Sequence, residues 1–212
     1  MNGYKSFSIA CVQRLPSYLN YLKNKQKEGV EYISTVTMAN DLNLAAITVK
    51  KDLQQVSSTE GKPNVGFCVA RLIKDIESFL GFDNTKDAVL VGAGSLGSVL
   101  LSYNGFQKYG LNIVAAFDID PEKIDTEIHG KRVFDLNRMT GLVKRMAIHI
   151  GIITVPKDCA QSICDMMVEA GIRAIWNFAP VSLTVPNDVV VLNEDLASSL
   201  AVLSKKLKEM LM

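Results

Sequence analysis

Val89-Leu90-Val91-Gly92-Ala93-Gly94-Ser95-Leu96-Gly97 decides the fold of this 212-residue chain. The apolar run Ala88–Val91 reads as a buried strand, and Gly92-x-Gly94-x-x-Gly97 leads from it into the helical pattern Val99-Leu100-Leu101. Strand, glycine turn and helix in that order form the phosphate corner of a dinucleotide fold. The first two glycines permit a tight turn and close approach to a pyrophosphate; the third lets the helix pack on the strand. The helix N-terminus then offers free N–H groups and a favourable dipole to the phosphates. Gly92, Ala93, Gly94, Ser95, Leu96 and Gly97 are therefore candidate ligand contacts.

Downstream, the strand Ile113–Phe117 ends in Asp118, twenty-one residues past Gly97. An acid there accepts from ribose hydroxyls and repels a 2′-phosphate, which favours NAD(H) over NADP(H). No basic residue follows directly; Ile119-Asp120-Pro121 does. Apolar runs at Ala147–Val155, Arg173–Phe178 and Val189–Leu192, with a helix from about Asp158 to Ala170, complete a parallel sheet. Ligands of such sheets bind beyond the carboxyl ends of the strands, so Thr154, Pro156, Asn177 and Phe178 join the candidates. The expected fold class is α/β, with a Rossmann-like parallel-sheet domain.

No catalytic residue is expected. His129 lies in a loop-like segment and His149 within a buried strand, neither at a strand end where a proton donor is wanted. No Ser-x-x-x-Tyr-x-x-x-Lys set for hydride transfer follows the glycine turn. Cys11, Cys68, Cys159 and Cys164 are scattered, with no Cys-x-x-Cys pair and no His placed to complete a zinc site, so no metal is expected. They read as buried, reduced thiols.

Upstream of the glycine turn the chain has a different character. Leu15, Tyr18, Leu19 and Leu22 make one apolar helical stripe, with Pro16 suited to a first turn and Gly29 placed to end the helix. Ser34 or Thr35 can cap a short helix carrying Met38, Ala39 and Leu42, and Asn43 tolerates the left-handed turn that follows. A second helix, roughly Ala45 to Gln54, turns Val49 and Leu53 inward and Thr48, Lys50, Lys51 and Gln54 outward. This is the helix-turn-helix layout, whose outer side chains reach phosphates and base edges. An ordinary three-helix bundle with a solvated face shares the periodicity. Ser57–Phe67 is rich in turn formers and reads as a β-hairpin wing with Lys62 near its tip. Leu72, Ile73, Ile76, Phe79 and Leu80 then mark a linking helix that Gly81 stops.

Charge supports this division mildly. Residues 1–80 hold ten Lys and Arg against seven Asp and Glu, a bias far short of a polybasic arm. At the other end Leu196, Leu200, Leu203, Leu207 and Leu211 form a heptad-like seam that needs a cover, either its own domain or, preferably, a partner subunit. The N-terminus carries neither a long apolar run nor a cleavage pattern, and no stretch reaches the roughly eighteen apolar residues of a membrane span. The chain is read as cytoplasmic.

These residues together resemble the Rex family of redox-sensing transcriptional repressors, nearly end to end. The resemblance is carried by Arg14-Leu15-Pro16-x-Tyr18-Leu19, Val49-Lys50-Lys51-Asp52-Leu53, Val91–Gly97 and Tyr103-Asn104-Gly105-Phe106. It continues through Ile113–Ile124, Thr154-Val155-Pro156, Asn177-Phe178-Ala179-Pro180 and Asn193-x-Asp195-Leu196-Ala197. It implies a homodimer, the last helices exchanged between subunits, that takes NADH/NAD+ as regulatory ligand and releases double-stranded operator DNA when NADH binds. By position, Gly92–Gly97 would cradle the pyrophosphate and Asp118 the adenosine ribose. Tyr103, Asn177 and Phe178 would lie near the nicotinamide, with Asp195 arriving from the partner chain. Lys50 and Lys51 would meet DNA. The implied domains are a winged helix-turn-helix (1–82), a Rossmann-like NAD(H)-binding domain (83–193) and a C-terminal dimerisation helix (194–212).

Two departures stand out. Family members commonly place Arg where Asn20 stands, and that Arg can pair with an acid at the Asp195 position. The wing, usually F-G-x-x-G-K-R-G-V-G-Y, reads Val56-Ser57-Ser58-Thr59-Glu60-Gly61-Lys62-Pro63-Asn64-Val65-Gly66-Phe67 here. Readings from other classes are a small NAD-dependent oxidoreductase with a helical dimerisation unit and a module for coenzyme A, against which Asp118 argues.

Overall fold

The computed structural model describes residues 8–62, 65–82 and 86–211. The chain divides into two compact units, Met1–Asn84 and Thr85–Met212. In the first, α1 (Ile9–Lys27) buries Cys11, Leu15, Tyr18, Leu19 and Leu22 along one face. Pro16 lies well inside α1, where the sequence had placed it in a first turn. A proline there forgoes one backbone hydrogen bond; Cys11, one turn before Leu15, extends the apolar stripe and carries the helix back past it. A two-residue strand, β1 (Tyr32–Ile33), leads to α2 (Thr35–Asp41), capped by the Ser34 hydroxyl accepting from the Thr37 N–H. Asn43 makes the left-handed turn at φ 53°, and α3 (Ala46–Val56) buries Val49, Leu53 and Val56.

One polar contact fixes α3 on α1. Arg14 donates to both oxygens of the buried Asp52, at 2.7 and 2.8 Å, and the Tyr18 hydroxyl adds a third bond at 2.8 Å. Burial works to raise the Asp52 pKa; bonds from Arg14, Tyr18 and Cys11 outweigh it and hold the carboxyl below its ordinary value. Burial, with Asp52 nearby, pushes the Cys11 thiol up to about 11.

The hairpin expected over residues 57–67 is shorter than the sequence suggested. Lys62 and Gly66 exchange two backbone bonds of 2.9 Å, while β2 (Phe67–Cys68) pairs antiparallel with β1. Residues 57–60 instead form a loop held to α4 (Val69–Leu80): the Ser58 N–H and hydroxyl both donate to Asp75, at 2.8 and 3.0 Å. Gly81 ends α4 in the left-handed region at φ 69°.

The second unit is a seven-stranded sheet. Its first strand is β3 (Lys86–Val91), followed by α5 (Ser95–Ser102), a 3-10 turn (Asn104–Tyr109) and β4 (Leu111–Asp118). Next come β5 (Glu127–Ile128), β6 (Lys131–Asp135), α6 (Met139–Met146), β7 (Ile150–Ile153), α7 (Lys157–Ala170), β8 (Ala174–Asn177), β9 (Val190–Asn193) and α8 (Leu196–Met210). The spatial order is β5-β6-β4-β3-β7-β8-β9, parallel throughout except for β5 against β6. Strand alternation divides the core: Val89, Val91, Phe117 and Ile153 pack with α6 and α7, while Ala88, Leu90, Ala116 and Ile152 face Leu101 of α5. β3 lies between β4 and β7, so the strand order reverses there, beside Gly92 and Thr154 at the ends of β3 and β7.

Two expectations fail here. His149 is exposed and precedes β7, its Nδ1 3.2 Å from the Gly171 carbonyl, so the apolar run overstated the strand. Of the cysteines, Cys11 and Cys164 are buried, Cys68 is half-buried and Cys159 is exposed. Among the described residues no helix is long and apolar enough to cross a membrane, and no group of metal-ligating side chains occurs. Asp195 caps α8 by accepting from the Ala197 and Ser198 N–H groups; Leu200, Leu203 and Leu207 are more than half exposed.

Candidate nucleotide site and nucleic-acid interface

A cavity of about 400 Å³ opens at the reversal point, lined by Gly92, Gly94, Asp118, Lys123, Thr154 and Pro156 among others. Gly92 stands at φ 101°, and a Cβ there would sit 2.7 Å from the Thr154 carbonyl oxygen. At Gly97 a Cβ would collide with the Gly92 carbonyl, which is why helix and strand come so close. Gly94 differs: a Cβ added to it meets no protein atom within 4 Å. It faces the cavity at the start of α5, a helix that no side chain caps. Free helix N–H groups beside an open glycine suit a pyrophosphate. The Thr154 hydroxyl lies 3.0 Å from the Val91 carbonyl and 2.7 Å from that of Gly92, binding the turn to the end of β7.

Asp118 sits at the end of β4 with its carboxylate already engaged. Oδ2 accepts from the Ala93 N–H at 2.8 Å and from Lys123 Nζ at 3.4 Å. Oδ1 accepts from the N–H groups of Ile119 and Asp120, at 2.8 and 3.0 Å. Lys123, five residues beyond Asp118, carries no sequence signal as its partner. A turn in which the Lys123 and Ile124 N–H groups both bond the Asp120 carbonyl folds it back. Its hydrogen bond to Asp120, and then the Asp118 charge, raise its pKa. Cys159 also lines this cavity, at the start of α7. Donor-rich glycine turn, helix end and strand-end acid together fit a dinucleotide's pyrophosphate and ribose.

The remaining candidates form separate groups. Ser95 and Leu96 are exposed at the start of α5, and Ala93 is buried with its N–H on Asp118. Tyr103 and Phe178 are the ends of an aromatic chain, Tyr103–Phe106–Trp176–Phe178, with centroid separations of 4.8, 5.4 and 4.9 Å. Trp176, the chain's single tryptophan, donates to Glu194 at 2.9 Å. Asn177 is fully buried, its amide bonded to Ala179, Val181 and Asn193. It shapes the loop after β8 and does not line the cavity. Asp195 borders a smaller concavity of about 240 Å³ with Ala179–Ser182.

On the first unit, Lys50 and Gln54 of α3 line a groove of about 660 Å³ whose other wall is the 57–61 loop. Lys51 is exposed beyond it and Thr48 is half-buried. Lys62 lies 5.4 Å from the Tyr32 ring centroid. Glu60 adds an acid to the groove, a feature unfavourable to a phosphate backbone.

Comparison with known proteins matches both units. Residues 7–54 match the family described as "Putative DNA-binding protein N-terminus", and residues 83–181 the "CoA binding domain" family. The redox-sensing transcriptional repressor Rex of Treponema denticola is 46% identical over 192 residues, covering 91% of each chain. That of Bacteroides fragilis is 40% identical, covering 92% of this chain and 89% of its own. The crystal structure of RSP in complex with β-NAD+ and operator DNA superimposes with a TM-score of 0.91 at 35% identity, covering 98% of this chain and 95% of that one.

Proposed function

Because the chain belongs to the Rex family of redox-sensing transcriptional repressors, we propose that it is a homodimeric, NADH/NAD+-responsive repressor that releases its operator when NADH binds. The proposed domains are a winged helix (1–82), an NAD(H)-binding Rossmann-like domain (83–193) and a dimerisation helix (194–212). The observation that carries this reading is the union of two sites on one chain: the phosphate corner with Asp118, and the polar groove beside α3 that Lys50 and Gln54 line. RSP, a Rex-family repressor, has been solved both with operator DNA and β-NAD+ and with β-NADH, which supports one scaffold serving both ligands.

Gly92–Gly97 hold the pyrophosphate in this reading and Asp118 the adenosine ribose, while Tyr103, Phe178 and Asp195 serve the nicotinamide end. Thr154 and Pro156 shape the cavity wall, and Asn177 holds the loop that carries Phe178. Thr48, Lys50, Lys51, Gln54 and Lys62 face DNA, and the protein works in the cytoplasm without catalytic turnover. The aromatic pair Trp176–Phe178 gives that end an apolar lining. Such a lining favours the uncharged reduced nicotinamide over its cationic form.

An anisotropy titration on a palindromic operator of the family type, at fixed salt, tests the proposal. Specific binding relieved by NADH and spared by NAD+ is expected. Binding indifferent to NADH would refute the sensing role, and substrate-dependent nicotinamide oxidation without DNA retention would refute the repressor itself.

A further inference from the structure

Asp118 has no acceptor position left. A carboxylate offers about four lone-pair sites, and here all are used, by three backbone N–H groups and one ammonium. The backbone donors are held by the chain itself. Ile119 and Asp120 follow Asp118 directly, and Ala93 follows Gly92, whose own N–H is fixed on the Phe117 carbonyl at 2.9 Å. Lys123 is different in kind. Its bond is the longest of the four at 3.4 Å, its stem is flexible, and a second carboxylate, Asp120, already lies 3.2 Å from its Nζ. A ribose hydroxyl arriving at Asp118 therefore meets one donor that can yield without losing its own partner.

We propose that Lys123 is the exchangeable partner of Asp118 and the residue that limits how strongly the site rejects a ribose 2′-phosphate. The inference rests on the dinucleotide reading of this cavity and assigns a specificity role within it. In the free site Lys123 neutralises part of the charge of two acids. When a ribose hydroxyl takes its place on Asp118, the ammonium keeps its bond to Asp120 and stays beside the ribose edge. A neutral 2′-hydroxyl gains little from it. A 2′-phosphate meets repulsion from Asp118 and attraction from Lys123, so the acid discriminates less than it would alone. Nothing is transferred; only hydrogen-bond partners change.

The test compares NADH and NADPH on the full-length protein, by nicotinamide fluorescence for NADH and by displacement of NADH for NADPH. Lys123→Met keeps the stem and removes the charge; Lys123→Arg keeps the charge. The methionine variant is expected to weaken NADPH relative to NADH, widening their ratio by about tenfold, an energy of ~1.4 kcal/mol. Arginine should restore the wild-type ratio. An unchanged melting transition of Trp176 fluorescence is the control for folding of the sheet unit. An unchanged or narrowed ratio overturns the proposal, as does wild-type protein that binds NADH but lets millimolar NADPH displace none of it. Wild-type protein that binds neither nucleotide would overturn the dinucleotide reading, and this inference with it.

Discussion

Asp52→Asn removes the charge on which α1 and α3 are pinned. The side chain of Asp52 is 5% exposed and that of Arg14 29%, so the variant leaves a guanidinium facing a neutral amide across a mostly dry contact. Breaking a buried pair from one side costs about 3–5 kcal/mol. Arg14 can rehydrate in part, and asparagine still accepts one bond, which reduces the expected loss to roughly 2–3 kcal/mol. For a unit of this size about 4–8 °C of melting temperature accompanies each kcal/mol, so the transition of the first unit should fall by roughly 10–20 °C. Far-UV circular dichroism of the full chain follows both units, whereas the single tryptophan, Trp176, reports on the sheet unit. Operator affinity should fall with the helical transition while the tryptophan transition holds. The acid side provides a second check. Because the folded Asp52 pKa lies below its ordinary 3.8, its contribution is present above that pH and is lost as the pH falls through the lower folded value. Wild type should therefore lose stability below about pH 4 more steeply than the variant. A loss under about 1 kcal/mol, or an identical acid limb, would show that Asp52 is not the pin described.

Gly97→Ala drives a methyl into the Gly92 carbonyl and should abolish nucleotide binding along with sheet-unit stability, whereas Gly94→Ala meets no protein atom. The second variant should melt within about 0.5 kcal/mol of wild type yet lose at least about tenfold in NADH affinity by fluorescence titration. Lys50→Ala should weaken operator binding and reduce the slope of log affinity against log salt by about one; an unchanged slope would place Lys50 away from phosphate. Leu203→Glu sets a charge in the exposed stripe of α8 and should convert the dimer to monomer in sedimentation equilibrium.

Residues with strong local logic were readable in the sequence. The glycine turn, the acid at the end of β4, the capped α2 and the Asn43 turn each follow from backbone sterics or from a periodicity that a few neighbours settle. What escaped reading depends on distant partners. Lys-Arg-Val-Phe-Asp at 131–135 buries Val133 alone, so β6 has too little alternation to announce itself; its pairing with β4 makes it a strand. Pro16 argued for a helix start, and the burial of Cys11 overruled it. Lys123 joins Asp118 through a turn, a proximity no spacing rule covered. Trp176 and Phe106 complete the aromatic chain between two recognised candidates, and the rarity of tryptophan was the available signal. Asn177, read as a pocket residue, spends its amide on its own loop.

Leu200, Leu203 and Leu207 of α8 are left outside every described core cluster, and this carries a consequence for dosage. If a second copy covers them, folding and assembly share one equilibrium, and apparent stability climbs with the amount of protein present. Dilution would then silence the repressor without any change in nucleotide. The number of copies in the cell would set a floor beneath which DNA occupancy fails whatever the redox state, so the gene for such a regulator has to be expressed above that floor before its sensor has any effect.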